Sequence, residues 1–357
     1  MGQSKKLKNL HSILKDKAKI IKATFTITNR TTTSIQIAVI RATTRSTHSP
    51  PPDHRISSLL SVAHTTRHSA SACTSAIIHR LHHHHQPNAY VTLKSLITLH
   101  SIIAGGSFVP KDHQSFRPTS AADHHYLNLS RFIDNTDTQS REFSLWAQWY
   151  ARFLESNLST SKVLVCSLSS KAEIDKKKEN VKYSLFMDLF KEIEALVSMI
   201  EEICRAPRSL HCQTNDIIYE VMRLVGEDYR MTQYHTMIRL TELSTRIHGL
   251  STNELSELTL YLERLEGCKE RLTELFANRR RNESFWELVT ESMAKLLRLK
   301  EDKELKSVSR RMIEYTTEST QLKKQLREAS RPLGLLPLGD GNHWLSVDPY
   351  NLTFSLA

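Results

Sequence analysis

Proline and glycine, the residues that build tight turns, are scarce in this chain. Its 357 residues include only 10 prolines and 9 glycines, and between positions 119 and 331 the single proline is Pro207. A fold of many strands needs many turns, and turns depend heavily on these two residues. Their scarcity disfavours a β-rich fold and favours an all-α one.

Closely spaced cysteine pairs and the common catalytic motifs are also missing. The five cysteines, at positions 73, 166, 204, 212 and 268, form no CxxC pair, which is typical of reduced, buried thiols. No glycine-rich phosphate loop, nucleophile elbow or HExxH metal motif is present. We interpret the run His82–His85 as a polar link between helices. The sequence therefore predicts no enzyme, no cofactor and no metal site.

Acidic residues are nearly absent from the first third of the chain. The net charge is +11, but residues 1–120 carry 16 Lys and Arg against 3 Asp and Glu, while residues 121–357 carry 33 against 35. This +13 end predicts an anionic partner, either a nucleic acid or an anionic membrane. The closely spaced lysines also interrupt every apolar stretch near the N-terminus, so we expect no secretory signal.

Apolar residues recur at helical spacing through most of the chain. Between Lys5 and Phe25 they alternate with lysines, which predicts an amphipathic helix with a cationic face. The stripe Trp146, Trp149, Tyr150 and Phe153 predicts the buried face of a later helix. We expect about ten consecutive helices over residues 1–330, stacked as an array, followed by a flexible tail over 331–357.

Two serines carry the signal of a helix start. Ser251 precedes Glu254 by three residues and Ser284 precedes Glu287 by three, and each pair stands just before an apolar run. This is the spacing of a capping box. The sequence predicts a helix beginning at each serine.

Several segments resemble the ANTH domain of clathrin assembly proteins. "YVTLKSLITLHSII", "YLNLSRFID" and "WAQWYARFLESNL" are similar to consecutive helices of that domain, and "EVMRLVGEDYRMTQ" resembles its plant branch. The resemblance implies a superhelical α-solenoid with a membrane-binding part over about residues 1–160 and a helical-hairpin part over about 180–330. It also implies a non-enzymatic adaptor of clathrin-mediated endocytosis.

The family binds phosphatidylinositol bisphosphate through a basic motif between its second and third helices. The motif is a lysine, nine residues, a second lysine, one residue, and then a basic residue followed by His or Tyr. In the stretch "RATTRSTHSPPPDHRI" Arg41 takes the first position; a literal count puts the later positions on Pro51, Asp53 and His54, and one inserted residue puts them on Pro52, His54 and Arg55. The resemblance implies binding by Arg41, His54 and Arg55, although a proline replaces the second lysine in either count. Lys5, Lys6, Lys8 and Lys15 would add membrane contacts from the first helix.

The resemblance further implies protein partners and a location. The expected partners are clathrin heavy chain, a clathrin adaptor complex and a SNARE, and "LLPLG" and "DPY" in the tail resemble short clathrin and adaptor motifs. The expected location is the cytosolic face of coated pits and vesicles and of the Golgi apparatus. Two alternatives stay open: a helical protein that binds nucleic acid, and an ANTH scaffold whose lipid site has decayed.

Overall fold

The computed structural model describes residues 14–21, 30–45, 49–82, 87–105, 127–164, 179–209, 214–277 and 283–329. Within these segments every regular element is a helix, so the predicted all-α class is confirmed. The helices are α1 (14–21), α2 (Arg30–Ala42), α3 (Asp53–Ala63), α4 (Arg67–His82), α5 (Ala89–Gly105), α6 (Thr138–Val163), the single turn α7 (179–182), α8 (Phe186–Cys204), α9 (Asp216–Arg246), α10 (Thr252–Leu275) and α11 (Glu283–Ala329).

The helix starts follow local hydrogen-bonding chemistry. Asp137 accepts a hydrogen bond from the Ser140 amide at 2.6 Å and begins α6, and Asn215 caps α9 in the same way. Ser251 and Glu254 form the predicted capping box at the start of α10. The second predicted box is wrong, because α11 begins at Glu283 and Ser284 therefore lies inside the helix.

The aromatic stripe of α6 forms the centre of the core. Trp146, Trp149, Tyr150 and Phe153 are all at most 1 % exposed, which confirms the predicted buried face. The indole N–H of Trp149 donates to the main-chain carbonyl of Glu202 at 2.8 Å and so joins α6 to α8. Burial of this aromatic surface with its polar atom satisfied stabilises the packing of α6 on α8.

The cysteines are reduced where the structure describes them. Cys73 and Cys268 are buried as predicted, but Cys204, at the end of α8, is only half-buried. The other two cysteines lie outside the described residues.

The chain divides into two compact units. Residues Met1–Glu301 form the first unit, in which α2 to α5 pack on one another, α6 packs on α5 and α8, and α8 packs on α9 and α10. Residues Asp302–Ala357 form the second unit, whose described part is the helical segment 302–329. None of the described helices has an apolar stretch long enough to cross a bilayer.

A buried polar network joins α5, α6 and α9 inside the first unit. His100 contacts the Tyr150 hydroxyl through Nδ1 at 2.7 Å and the Asp228 carboxylate through Nε2 at 2.9 Å. Asn157 donates a hydrogen bond to the same carboxylate. Because a carboxylate only accepts, Nε2 must be the donor, and the hydroxyl satisfies the other ring nitrogen. Burial raises the pKa of Tyr150 well above its ordinary value.

This network predicts that Asp228→Ala destabilises the protein. The change leaves the His100 and Asn157 donors buried without an acceptor, which costs about 1–3 kcal/mol. Glu227→Ala, on the exposed face of the same helix, is the control and should stay within about 0.5 kcal/mol of wild type. Urea unfolding measures both variants, and equal effects would contradict the assigned role of Asp228.

Candidate functional site: a cation-capped helix end

The predicted headgroup loop lies at the C-terminal end of α2, where three cations cap main-chain carbonyls. Arg55 donates to the carbonyl of Arg41, Arg80 donates to the carbonyl of Thr43 at 3.0 Å, and Lys94 donates to the carbonyl of Thr44 at 3.0 Å. The last carbonyls of a helix lack intrahelical partners and carry partial negative charge. Three cations from α3, α4 and α5 therefore hold this helix end and the loop after it in place.

One buried carboxylate lies among these cations. Asp16 of α1 accepts from the Arg80 guanidinium at 3.1 Å and from the Arg45 main-chain amide at 2.8 Å. Its side chain and those of Arg80 and Arg45 are at most 9 % exposed. A buried charge is stable only when it is paired and hydrogen-bonded. Asp16 thus attaches α1 to the end of α2.

The surroundings of Asp16 contain more positive than negative charge. Burial lowers the pKa of Lys19 from 10.5 to about 8, and repulsion from Arg80 and Arg45 adds to the effect. Burial also lowers the pKa of Lys94 to about 8; Asp16 opposes this shift and Arg55 adds to it. An anion that approached this end of the molecule would be attracted by the excess charge.

The structure brings the three predicted headgroup residues together at the surface. Arg41 ends α2, His54 and Arg55 lie in the first turn of α3, and the Arg55 side chain reaches back to the Arg41 carbonyl. The side chains of Arg41 and His54 are exposed, and that of Arg55 is half-buried. Arg55 therefore serves the fold as well, a role that the motif alone did not predict.

The prolines between α2 and α3 set the position of His54 and Arg55. Pro51 is buried, and Pro52 stands at the N-cap of α3 in an extended conformation. A proline fixes its own φ and keeps the residue before it extended, so the loop needs little ordering. Asp53 follows with its side chain exposed. It places a negative charge beside the two predicted contacts.

The membrane-contact lysines are only partly within the described residues. Lys15 is half-buried on α1, whereas Lys5, Lys6 and Lys8 lie outside. Of the predicted helix from Lys5 to Phe25, the structure describes residues 14–21 as helical. The tail motifs "LLPLG" and "DPY" also lie outside. In the part of the chain that is described, no three metal-ligating side chains come together.

A second feature is a cleft of about 1020 Å³ between α9, α10 and the beginning of α11. Its floor contains Tyr229 stacked on Phe276 at a centroid distance of 5.1 Å. The Lys269 ammonium lies 5.7 Å from the centre of the Trp286 ring. The rim is charged, and the lining residues include Arg223, Arg230, Glu283, Glu287 and Glu291. Such a cleft has the apolar base and polar edges of a groove that accepts a helix.

The described structure is thus an all-α protein with a basic helix end in the first third of its sequence. The family model of the ANTH domain matches residues 34–285. The chain therefore belongs to the ANTH domain family.

Relatives in Arabidopsis thaliana cover most of the chain. Three of them bear the name "Putative clathrin assembly protein". One is 36 % identical over 299 residues, which cover 82 % of this chain and 81 % of the relative. A second is 30 % identical over 300 residues, covering 80 % and 98 %, and a third is 30 % identical over 287 residues, covering 77 % and 81 %.

The burial of Lys94 predicts a pH-dependent stability. Its pKa in the folded protein, about 8, lies below its ordinary value of 10.5. Between these pH values the unfolded chain binds one more proton than the folded protein, so the free energy of unfolding rises with pH. At about 1.4 kcal/mol per pKa unit, the rise attributable to Lys94 is at most about 3.5 kcal/mol.

Lys94→Met removes this contribution. Urea unfolding at a series of pH values from 7.5 to 10.5 should show the advantage of wild type over Lys94→Met growing as the pH increases. Lys17→Met, at an exposed position of α1, is the control and should keep the wild-type slope. A constant difference between wild type and Lys94→Met would contradict the burial of a titrating ammonium.

Proposed function

We propose that this protein is a peripheral membrane adaptor of clathrin-mediated endocytosis that binds phosphoinositide headgroups with Arg41, His54 and Arg55. The observation that supports this most directly is the capped end of α2, where the Arg55 side chain donates to the Arg41 carbonyl and Arg80 and Lys94 fix the two carbonyls that follow. A bisphosphate headgroup needs several charge-assisted donors at fixed positions. The names of the relatives favour the same role.

The surrounding charges support an anionic membrane as the ligand. About 1 kcal/mol is contributed by each basic residue near an anionic leaflet. Lys15 of α1, and Lys5, Lys6 and Lys8 before it in the sequence, would add to the contacts of Arg41. The +13 charge of residues 1–120 would attract the membrane at long range. The adaptor would act on the cytosolic face of coated pits and vesicles and of the Golgi apparatus.

The protein partners would bind elsewhere on the chain. Clathrin heavy chain and a clathrin adaptor complex would recognise short motifs in the tail, residues 331–357. A SNARE helix would bind in the cleft of α9, α10 and α11, whose apolar floor and charged rim suit an amphipathic helix. No catalytic step is part of this function.

The test of the lipid site is a matched pair of charge changes. Asp53→Lys replaces a negative charge by a positive one beside Arg41 and His54, a change of +2. It should strengthen binding to bisphosphate-containing vesicles by roughly 1–2 kcal/mol, or about 5- to 30-fold. Asp302→Lys makes the same change in the second unit and should have a much smaller effect. Arg41→Ala with His54→Ala should weaken binding. Vesicle co-sedimentation at fixed ionic strength measures all of them.

Two further arms separate this proposal from its alternatives. Vesicles of equal charge that contain only phosphatidylserine should gain less from Asp53→Lys, because a headgroup site depends on geometry as well as charge. Equal gains on both lipids would reduce the site to a basic surface. No binding of wild type to either lipid would indicate a decayed lipid site, and preferential binding of an oligonucleotide at the same salt would indicate a nucleic-acid ligand.

A further inference from the structure

The second unit carries a row of large apolar side chains on the surface of its helical segment. Within the described residues 302–327 no side chain is buried. The apolar members of the row, between 53 % and 73 % exposed, are Leu305, Val308, Met312, Tyr315, Leu322 and Leu326. Rows of this size on a surface mark an interaction site more often than chance exposure.

The spacing of the row identifies the kind of partner. From Leu305 to Leu326 the positions advance by three and four residues in alternation, with Ser319 filling the one polar place. This is the a and d pattern of a heptad repeat, in which 305, 312, 319 and 326 take a and 308, 315 and 322 take d. An average spacing of 3.5 residues keeps the row facing a second helix over its whole length.

The charges beside the row show which helix fits. In a parallel pair of identical helices each g position lies beside the e position of the following heptad on the other helix. Glu318 at g then meets Lys323 at e, and by symmetry this attractive pair occurs twice. The other g positions, Glu304 and Arg311, meet the neutral residues Ser309 and Thr316. No like charges meet.

We propose that this row binds a second copy of the chain, as a parallel two-stranded coiled coil over residues 304–326. Leu305 and Leu326 form the first and last apolar layers, and Ser319 is the one polar core layer, a type of position that fixes register at a cost in stability. Three heptads make a short seam, so the pairing depends on protein concentration. It does not depend on lipid.

Pairing has a consequence for membrane binding that rests on the proposed function. A dimer presents two basic N-terminal ends, so the second end binds at a high effective concentration once the first has bound. A headgroup motif that contains Pro52 and Asp53 in place of further basic residues can then still retain the protein on a membrane.

The first test uses two neighbouring residues as a matched pair. Met312 lies in the row at an a position and Ile313 lies beside it at b, and their side chains are 66 % and 64 % exposed. Met312→Asp should abolish association of the full chain in sedimentation equilibrium, whereas Ile313→Asp should leave it unchanged. Circular dichroism of both variants confirms that the helices are retained. Equal behaviour of the two variants would overturn the proposal.

The second test concerns the charges and the orientation. Glu318→Lys places lysine opposite lysine twice and should weaken dimerisation by about tenfold, and adding Lys323→Glu should restore it. Failure of that second change to restore association would overturn the parallel register. Wild type that sediments as a monomer at the highest concentration that stays in solution would overturn self-pairing. Binding of a heptad peptide of another protein by that monomer would assign the row to a different partner. Sedimentation without vesicles keeps this result separate from the lipid proposal.

Discussion

The hydrogen bonds at the end of α2 fix the arrangement of helices α2 to α5 in the first unit. The Arg41 carbonyl in the last turn of α2 and the carbonyls of Thr43 and Thr44 just after it receive hydrogen bonds from Arg55, Arg80 and Lys94, which come from three different helices. Each cation at a helix C-terminus contributes about 0.3–1 kcal/mol, but the larger effect is geometric. Because the donors come from α3, α4 and α5, the end of α2 cannot move without moving all three helices.

The same arrangement explains how several cationic side chains can lie close to one another at the end of α2. Asp16 offsets part of the positive charge. Burial is the main cause of the lowered pKa values of Lys19 and Lys94, and repulsion from neighbouring arginines adds to it. Such a surface is electrostatically costly in the isolated protein and favourable beside an anionic ligand. This electrostatic cost agrees with the proposed headgroup site.

The buried network around Asp228 likewise fixes the positions of neighbouring helices, here α5, α6 and α9. His100 on α5 and Asn157 on α6 both bond to this carboxylate of α9. The helix that carries Lys94, α5, is therefore tied to one of the helices that line the cleft. A buried network of this kind fixes one arrangement of the helices, because any shift leaves a donor or acceptor unsatisfied.

Local patterns predicted the fold well and the site only in part. The stripe containing Trp146 and Trp149 and the capping box at Ser251 depend on residues within one helical turn of each other, so the sequence carries them directly. The ion pair between Arg80 and Asp16 joins residues 64 positions apart, and no local spacing indicates it. The sequence does show a lysine, Lys94, among the mostly apolar residues of α5, and a charged residue in such a helix indicates a buried polar contact. Ser284 failed as a cap because α11 begins one residue before it, at Glu283.

The central claim is that the capped end of α2 is the surface that meets the membrane. Hydrogen–deuterium exchange of the full chain, with and without vesicles containing phosphatidylinositol bisphosphate, tests it most directly. The account predicts that exchange slows over residues 41–55 when the vesicles are added and stays unchanged over the cleft helices α9 and α10. Slower exchange at α9 and α10 alone, with residues 41–55 unaffected, would contradict it.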